Sequence, residues 1–294
     1  MEQEHSLSRN LAYFSKTGDV DSVERLLQHG ADPNIPDNEG VFPLMYAAQS
    51  GHLTVLQVLL DFGAKIDIGN GATKLLPFAI DSESVSVLEF LMDRMSPQSP
   101  QHLGDVLVNV AHTVDSPVSE KMAHILLERN ADVNFRGSNG VTALIYASVQ
   151  NKSELVDMLL AFGADVNARD DDTETVLMWA AGAGNADIVH RLIVAGADVN
   201  ANGDLEGTAL KWAVKSGSTD TVRLLIEHGA DIYAPSAFTA SIHQRLVPII
   251  ELFLSHGFDI QRDLRDGYNA LELARKSGHG DIVRLLKHHQ TSHQ

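Results

Sequence analysis

One short phrase recurs along this chain at intervals of 33 residues, and that interval narrows the possible folds more than any other property. Gly163-Ala164-Asp165-Val166-Asn167 is repeated by Gly196-Ala197-Asp198-Val199-Asn200, and Gly229-Ala230-Asp231-Ile232 follows after the same step. Upstream, Asn130-Ala131-Asp132-Val133-Asn134 precedes Gly163 by 33 residues, and Gly30-Ala31-Asp32-Pro33-Asn34 precedes Gly63-Ala64 by 33. A period of this size belongs to stacked repeats, each burying its apolar face only against its neighbours. Such stacks present long surfaces, which points to binding rather than chemistry.

The unit from Gly137 to Arg169 is the cleanest. Thr142 to Ser148 reads as a short helix, Asn151-Lys152 as a turn, and Glu154 to Phe162 as a second helix. Leu144 and Ala147 fall on one face, as do Leu155, Met158, Leu159 and Phe162. Gly163 then ends the second helix, where a left-handed residue is cheapest as glycine. Asp165 and Asn167 can bond local backbone in the turn that follows. Asp187, Asp220 and Asp281 open other second helices, at the positive end of the helix dipole.

The pattern G-x-T-x-L-x-x-A, a turn, then x-V-x-x-L-L-x-x-G-A-D-V-N resembles the ankyrin repeat. It is carried by Gly40, Pro43, Leu44, Ala47, Ala48, Gly51, His52, Val58 to Leu60 and Gly63-Ala64 in one unit, and by Thr142, Leu144, Ala147, Val156, Leu159 and Leu160 in another. Thr175, Leu177, Ala180, Ala181, Gly184, Val189 and Leu192 match it again, as do Thr208, Leu210, Ala213, Gly217, Val222 and Leu225. The resemblance implies an all-α solenoid of stacked helix-turn-helix units with hairpin-like loops. Over 1–294 it implies a single ankyrin domain of about nine repeats: 7–36, 37–68, 69–95, 96–136, 137–169, 170–202, 203–234, 235–262 and 263–289, with 290–294 as a tail. With helices packed about 8–10 Å apart, nine repeats imply a curved rod roughly 80–100 Å long.

The chain departs from the family pattern in three places. The histidine of the family's T-P-L-H tetrapeptide is replaced by Met45, Ile145, Met178, Lys211 and Glu272, so its polar ladder is expected to give way to apolar packing. The third and fourth repeats are irregular: Pro77 is expected to interrupt a first helix, and Ser96-Pro97-Gln98-Ser99-Pro100 reads as a loop. Leu103 to Ala111 and Val118 to Glu128 then form a pair around Asp115-Ser116-Pro117. The eighth repeat is short, with Pro235 and Pro248 flanking its first half, so its hairpin should be trimmed. The ninth, Asp266 to His289, should cap the stack with Arg275, Lys276, Arg284, Lys287 and His288 on its outer face.

Composition excludes more than it assigns. With 22 Lys+Arg against 39 Asp+Glu the net charge is −17, which argues against nucleic-acid and anionic-membrane partners. Cysteine is absent, which removes disulfides, thiolate nucleophiles and Cys-ligated zinc. Of the 14 histidines, His29, His52, His228, His256 and His279 fall at turn positions, with His288, His289 and His293 as a loose tail cluster, and no H-E-x-x-H spacing occurs. No G-x-S-x-G or Walker-type run is present, and no cofactor, metal site or catalytic residue is expected. Met1 to Asn10 is polar and no apolar run approaches the ~18 residues of a bilayer span, so the expectation is a cytoplasmic or nuclear protein, monomeric on its own.

The family resemblance implies that a protein partner docks on the hairpin tips and first helices of the concave side. By register these are Asn38, Glu39, Val41, Gln49 and Ser50, then Ser138, Asn139, Val141, Val149 and Gln150. In the next two repeats they are Asp171, Asp172, Glu174 and Ala183, and Asp204, Leu205, Lys215 and Ser216. Tyr46, Phe78, Tyr146, Trp179 and Trp212 share one first-helix register, each before an alanine. That register suits either packing between helix layers or, for Trp179 and Trp212, partly exposed anchors. The run Arg169-Asp170-Asp171-Asp172-Thr173-Glu174, with Asp204 and Glu206, could steer a basic segment or form a solvated acidic turn. The reading is an adaptor, scaffold or inhibitor. The alternatives are an enzyme with a pocket in residues 96–120, a delivered effector that captures a host protein, or a substrate of asparaginyl hydroxylation at Asn134, Asn167 and Asn200.

Overall fold

In a computed structural model the described residues are 2–66, 75–95, 97–113, 117–204, 207–234, 236–264 and 267–292. Among them lie 18 α-helices in consecutive pairs, a short 3-10 turn at Ser138–Gly140, and an isolated β-bridge between Arg169 and Thr175. The fold is an all-α solenoid. The chain divides into two compact units, Met1–Phe135 and Arg136–Gln294.

The first unit holds α1 (Glu2–Thr17) with α2 (Val20–Gln28), α3 (Pro43–Gln49) with α4 (Leu53–Asp61), α5 (Leu75–Asp81) with α6 (Val85–Arg94), and α7 (Pro100–His112) with α8 (Pro117–Glu128). The polar N-terminal stretch is therefore helical from Glu2. Pro77 does not interrupt α5: it is the third residue, where an amide has no in-helix acceptor to lose. Pro100 does not close a loop but opens α7 at its first position. Ser99 caps that helix by accepting the His102 amide at 3.2 Å. The resulting helix is 13 residues long, against seven in α3 and α5. Its Gly104 lets the loop after α8 lie directly on α7. A β-carbon there would stand 2.7 Å from the Asp132 carbonyl and collide with the Phe135 side chain.

The second unit holds α9 (Ala143–Val149) with α10 (Ser153–Ala161), α11 (Val176–Gly182) with α12 (Ala186–Val194), and α13 (Ala209–Ser216) with α14 (Thr219–Glu227). It ends in α15 (Ala237–His243) with α16 (Val247–Ser255) and α17 (Ala270–Lys276) with α18 (Gly280–Ser292). Leu144, Ala147, Leu155, Val156 and Leu159 of its first pair are buried, each full leucine burial stabilising by about 1.5–3 kcal/mol. Met158 is only half-buried and Phe162 is 42% exposed, because Phe162 is the residue where α10 ends rather than part of its packed face. Ala147, Ala180 and Ala213 are fully buried, and a methyl at this register lets successive first helices approach closely.

Local bonds explain the punctuation. Gly163 takes φ +86°, with its amide and that of Ala164 reaching the Leu160 and Leu159 carbonyls, and Asn130 takes the same left-handed place one repeat earlier. Asp165 accepts the Asn167 amide at 2.9 Å and Asp198 accepts that of Asn200 at 3.0 Å. Thr142, Thr175 and Thr208 cap α9, α11 and α13 by accepting the amides of Ile145, Met178 and Lys211. The absent histidine ladder is not replaced by apolar packing alone. Glu272 in that register accepts the Asn269 amide while Asn269 accepts that of Glu272, a reciprocal cap at the start of α17.

Repeats are stitched along one edge by asparagine. Asn167 accepts the Asp198 amide at 2.8 Å and donates to the Gly196 carbonyl, and Asn200 makes the same two bonds to Asp231 and Gly229. In the first unit Asn34 repeats the device with Lys65 and Gly63. Between the seventh and eighth repeats Tyr233 substitutes a single hydroxyl, which accepts the Asp259 amide and donates to the Gly257 carbonyl.

Candidate partner-binding surface

Five hairpin tips are each closed by one bond from the residue seven beyond the helix-ending glycine or asparagine to the carbonyl four residues on. The pairs are Asp37 to Val41 in the first unit, and Gly137 to Val141, Asp170 to Glu174, Gly203 to Gly207 and Leu264 to Tyr268 in the second. Four of these turns need a left-handed residue at their fourth position. Gly40, Gly140 and Gly267 supply it, but the sixth repeat uses Thr173 at φ +63°, a strained choice for a β-branched side chain.

At the first-unit tip, Asn38 and Glu39 are exposed, Val41 is half-buried, and Gln49 is exposed at the end of α3. Asp37 organises the turn. It accepts the Glu39 and Val41 amides and the Tyr46 hydroxyl at 2.8 Å. Burial pushes the Asp37 carboxyl up, but the Val41 amide, the Tyr46 hydroxyl and the Glu39 amide outweigh it and hold it below the usual range. Burial, with the same carboxylate beside it, pushes the Tyr46 hydroxyl up to about 12. The Lys16 ammonium lies 5.4 Å from the Tyr46 ring centroid.

The second unit gathers more of the expected residues. Ser138 and Asn139 are exposed, Val149 and Gln150 half-buried, and the Asn139 carbonyl accepts the Asp171 amide at 2.9 Å. Asp171, Asp172 and Asp204 are exposed; Leu205 and Glu206 lie outside the described residues. Asp171 is paired with Arg136 at 2.7 Å. Arg136 also donates to the Arg169 carbonyl, and Arg169 donates to that of Asn202 at 2.8 Å, so two arginines bridge successive tips.

The aromatic row is neither core nor free surface. Tyr46, Phe78, Tyr146, Trp179 and Trp212 are all half-buried. Trp179 and Trp212 stack, with centroids 6.2 Å apart and planes at 26°. The Trp179 indole N–H donates to Asp170 at 2.8 Å and that of Trp212 to Glu174 at 3.2 Å. Both polar handles are thereby used inside the molecule, leaving apolar ring area as what the pair offers outward. Lys215, exposed, holds its ammonium 5.0 Å from the Trp212 ring centroid.

Glu174 is turned inward, away from the tip. Its carboxylate occupies space left by two glycines, since a β-carbon on Gly203 would stand 2.5 Å from it and one on Gly207 3.0 Å. Burial pushes its pKa above the usual glutamate range. The indole N–H of Trp212 opposes this, Asp170 and Asp204 add to it, and Lys211 opposes it. Asp170, 6% exposed, is the residue the acidic run concealed: it accepts the Glu174 amide as well as the Trp179 indole. Its nine-residue spacing to Trp179, matching Asp37 to Tyr46, was the available signal.

In the irregular segment of the first unit, a dent of about 350 Å³ is lined by Met92, Pro97, Gln98, Pro100, Leu103, Arg129 and Asn130. Its one charged group, Arg129, is bonded to Asp93 at 2.5 Å. Asp115 and Ser116 lie outside the described residues. No helix among the described residues is long and apolar enough to cross a membrane.

The family model for ankyrin repeats (3 copies) matches residues 11–101, 114–170 and 150–236, and the chain belongs to the ankyrin-repeat family. The repeats of this family generally serve protein–protein interaction. The chain is similar to the potassium channel AKT2/3 of Arabidopsis thaliana, 30% identical over 155 residues that make up 52% of this chain and 19% of the channel. It is also similar to human ankyrin repeat domain-containing protein 39, 39% identical over 65 residues, or 22% of this chain and 36% of that one. Human ankyrin repeat and SOCS box protein 2 is 41% identical over 87 residues, 28% of this chain and 13% of the relative. The matches thus span only 13% to 36% of the length of these curated relatives. Among solved structures, the human ASB11 ankyrin repeat domain is similar in fold, with TM-score 0.65 and 23% identity over 75% of this chain and 98% of that one.

Proposed function

We propose that residues 1–294 form one ankyrin array that acts without catalysis, as an adaptor, scaffold or inhibitor inside the cell. Its main docking face lies in the sixth and seventh repeats. The observation that carries this is the stacked, half-exposed pair Trp179 and Trp212, bordered by exposed Asp171, Asp172 and Asp204 and by Lys215. Aromatic rings at a surface supply contact area at low entropic cost, and a rim in which three aspartates outweigh one lysine steers a basic partner. The partner segment is therefore basic, with an apolar side chain that packs on the indoles. Glu174 and Asp170 support this face from beneath rather than touch the partner. The array works as a monomer, and Asn38, Glu39 and Gln49 in one repeat, with Ser138, Asn139 and Gln150 in another, add specificity.

The relatives that pair ankyrin repeats with a SOCS box favour the adaptor role. A nona-arginine peptide titrated calorimetrically into the full chain tests the acidic rim. Replacing Asp171 and Asp172 by lysine should weaken its binding by about tenfold at low salt and flatten the salt dependence, with the thermal midpoint nearly unchanged because exposed ion pairs are worth about 0–1 kcal/mol. Equal affinity for both proteins removes the acidic tip from the account.

A further inference from the structure

The row of aromatic side chains at the fourth position of the first helices (Tyr146, Trp179, Trp212) breaks at Ala240 in α15. In the same repeat no hairpin tip forms. Ser236, at φ +67°, leads directly into the helix, and its carbonyl accepts the Ala240 amide at 2.8 Å. The missing ring and the missing tip fall at one place, and there α13, α15 and α17 leave a cavity of about 520 Å³.

The walls of this notch are unlike the rest of the surface. Lys211 of α13 and Lys276 of α17 stand on either side of α15, His243 lies at its edge, and no carboxylate is among the described residues that line it. Cations thus face the notch on a chain of net charge −17, and Lys211 also acts on the Glu174 carboxylate. Thr239, Tyr268 and Ser277 contribute hydroxyls. The Lys276 ammonium sits 4.2 Å from the Tyr268 ring centroid, which holds it at the rim. The volume lies within the ~300–1,000 Å³ of ligand pockets, so it admits a side chain with its neighbours.

We propose that this notch binds a phosphoserine or phosphothreonine side chain of a partner protein. A phosphomonoester at neutral pH carries close to two negative charges on three acceptor oxygens, which suits two ammonium groups and a set of hydroxyl donors. An aspartate or glutamate brings one charge and two oxygens, so it leaves part of this donor set unused. The notch lies in the row that holds Trp212, so a segment lying along the first helices reaches both places. It goes beyond the role assigned to the acidic tips, and its test does not depend on theirs.

The probe is a fluorescein-labelled alanine–leucine peptide with one phosphothreonine, beside counterparts with aspartate or unmodified threonine, titrated into the full chain by anisotropy. The phosphopeptide should bind about tenfold more tightly than the aspartate peptide, and unmodified threonine should bind weakest. Ala240→Trp fills the notch with the side chain of the preceding repeat, and Lys276→Glu reverses the charge of an exposed side chain at its rim. Each should lower phosphopeptide affinity by about tenfold or more. Absence of phosphopeptide binding, equal affinity for the aspartate peptide, or affinity unchanged in both variants would overturn the proposal.

Discussion

The sixth and seventh repeats hold the same turn and the same tryptophan by different means. In the sixth, Asp170 closes the turn and its own carboxylate receives the Trp179 indole. In the seventh the equivalent residue is Gly203, which has no side chain to offer, and Trp212 takes its acceptor from Glu174 of the preceding repeat. A hydrogen bond made within one repeat gives way to a hydrogen bond made between two. The substitution couples the stability of neighbouring repeats, and it brings a carboxylate into a partly desolvated place beside Asp170 and Asp204.

The largest difference should come from removing the local acceptor. Asp170→Ala strands a turn amide and an indole N–H at a buried site, so it should cost about 2–4 kcal/mol in urea denaturation. Glu174→Ala removes only the Trp212 acceptor at a more open site and should cost about 1 kcal/mol. Equal costs would erase the contrast between a turn that supports itself and one that leans on its neighbour.

Sequence alone gave access to the repeats because the glycines that end second helices and the alanines in first helices recur at fixed register. It was less informative where one residue type serves two purposes. Pro100 belongs as readily to a loop as to the first turn of a helix, and only the Ser99 cap decides between them. Asp170 sat within a run of acidic residues and looked like one more solvated charge, whereas its neighbours Asp171 and Asp172 are the exposed ones. Glu174, expected outward, fills a space created by the absence of side chains on Gly203 and Gly207, which no motif marks. The notch at Ala240 needed Lys211 and Lys276 brought together across a shortened repeat, and they are 65 residues apart in the chain (276 − 211).

Supplying the seventh repeat with its own acceptor probes the substitution directly. Gly203→Asp places a β-carbon 2.5 Å from the Glu174 carboxylate, the movable end of a flexible side chain, and adds a like charge next to it. The single change should destabilise by about 1 kcal/mol. In a Glu174→Ala background the new aspartate is free to accept the Trp212 indole, and the cost should vanish, a coupling of about 1 kcal/mol between the two sites. Additive effects would mean that Gly203 and Glu174 do not share one function.

The smallest effect carries a distinctive sign. The raised Glu174 pKa means that the folded state holds this proton more tightly than the unfolded one. Its contribution is present below the unfolded pKa and is lost as pH rises through the folded one. Asp37 and Asp187 have lowered values and behave oppositely, losing their contribution as pH falls. Glu174→Gln keeps an oxygen for the Trp212 indole and removes the charge. It should match the parent at acid pH and exceed it by a few tenths of a kcal/mol at neutral pH, the group being partly open to solvent screening. A gap of the same size at every pH would show that Glu174 ionisation plays no part, and a gap that opens only on acidification would reverse the assigned direction of its pKa.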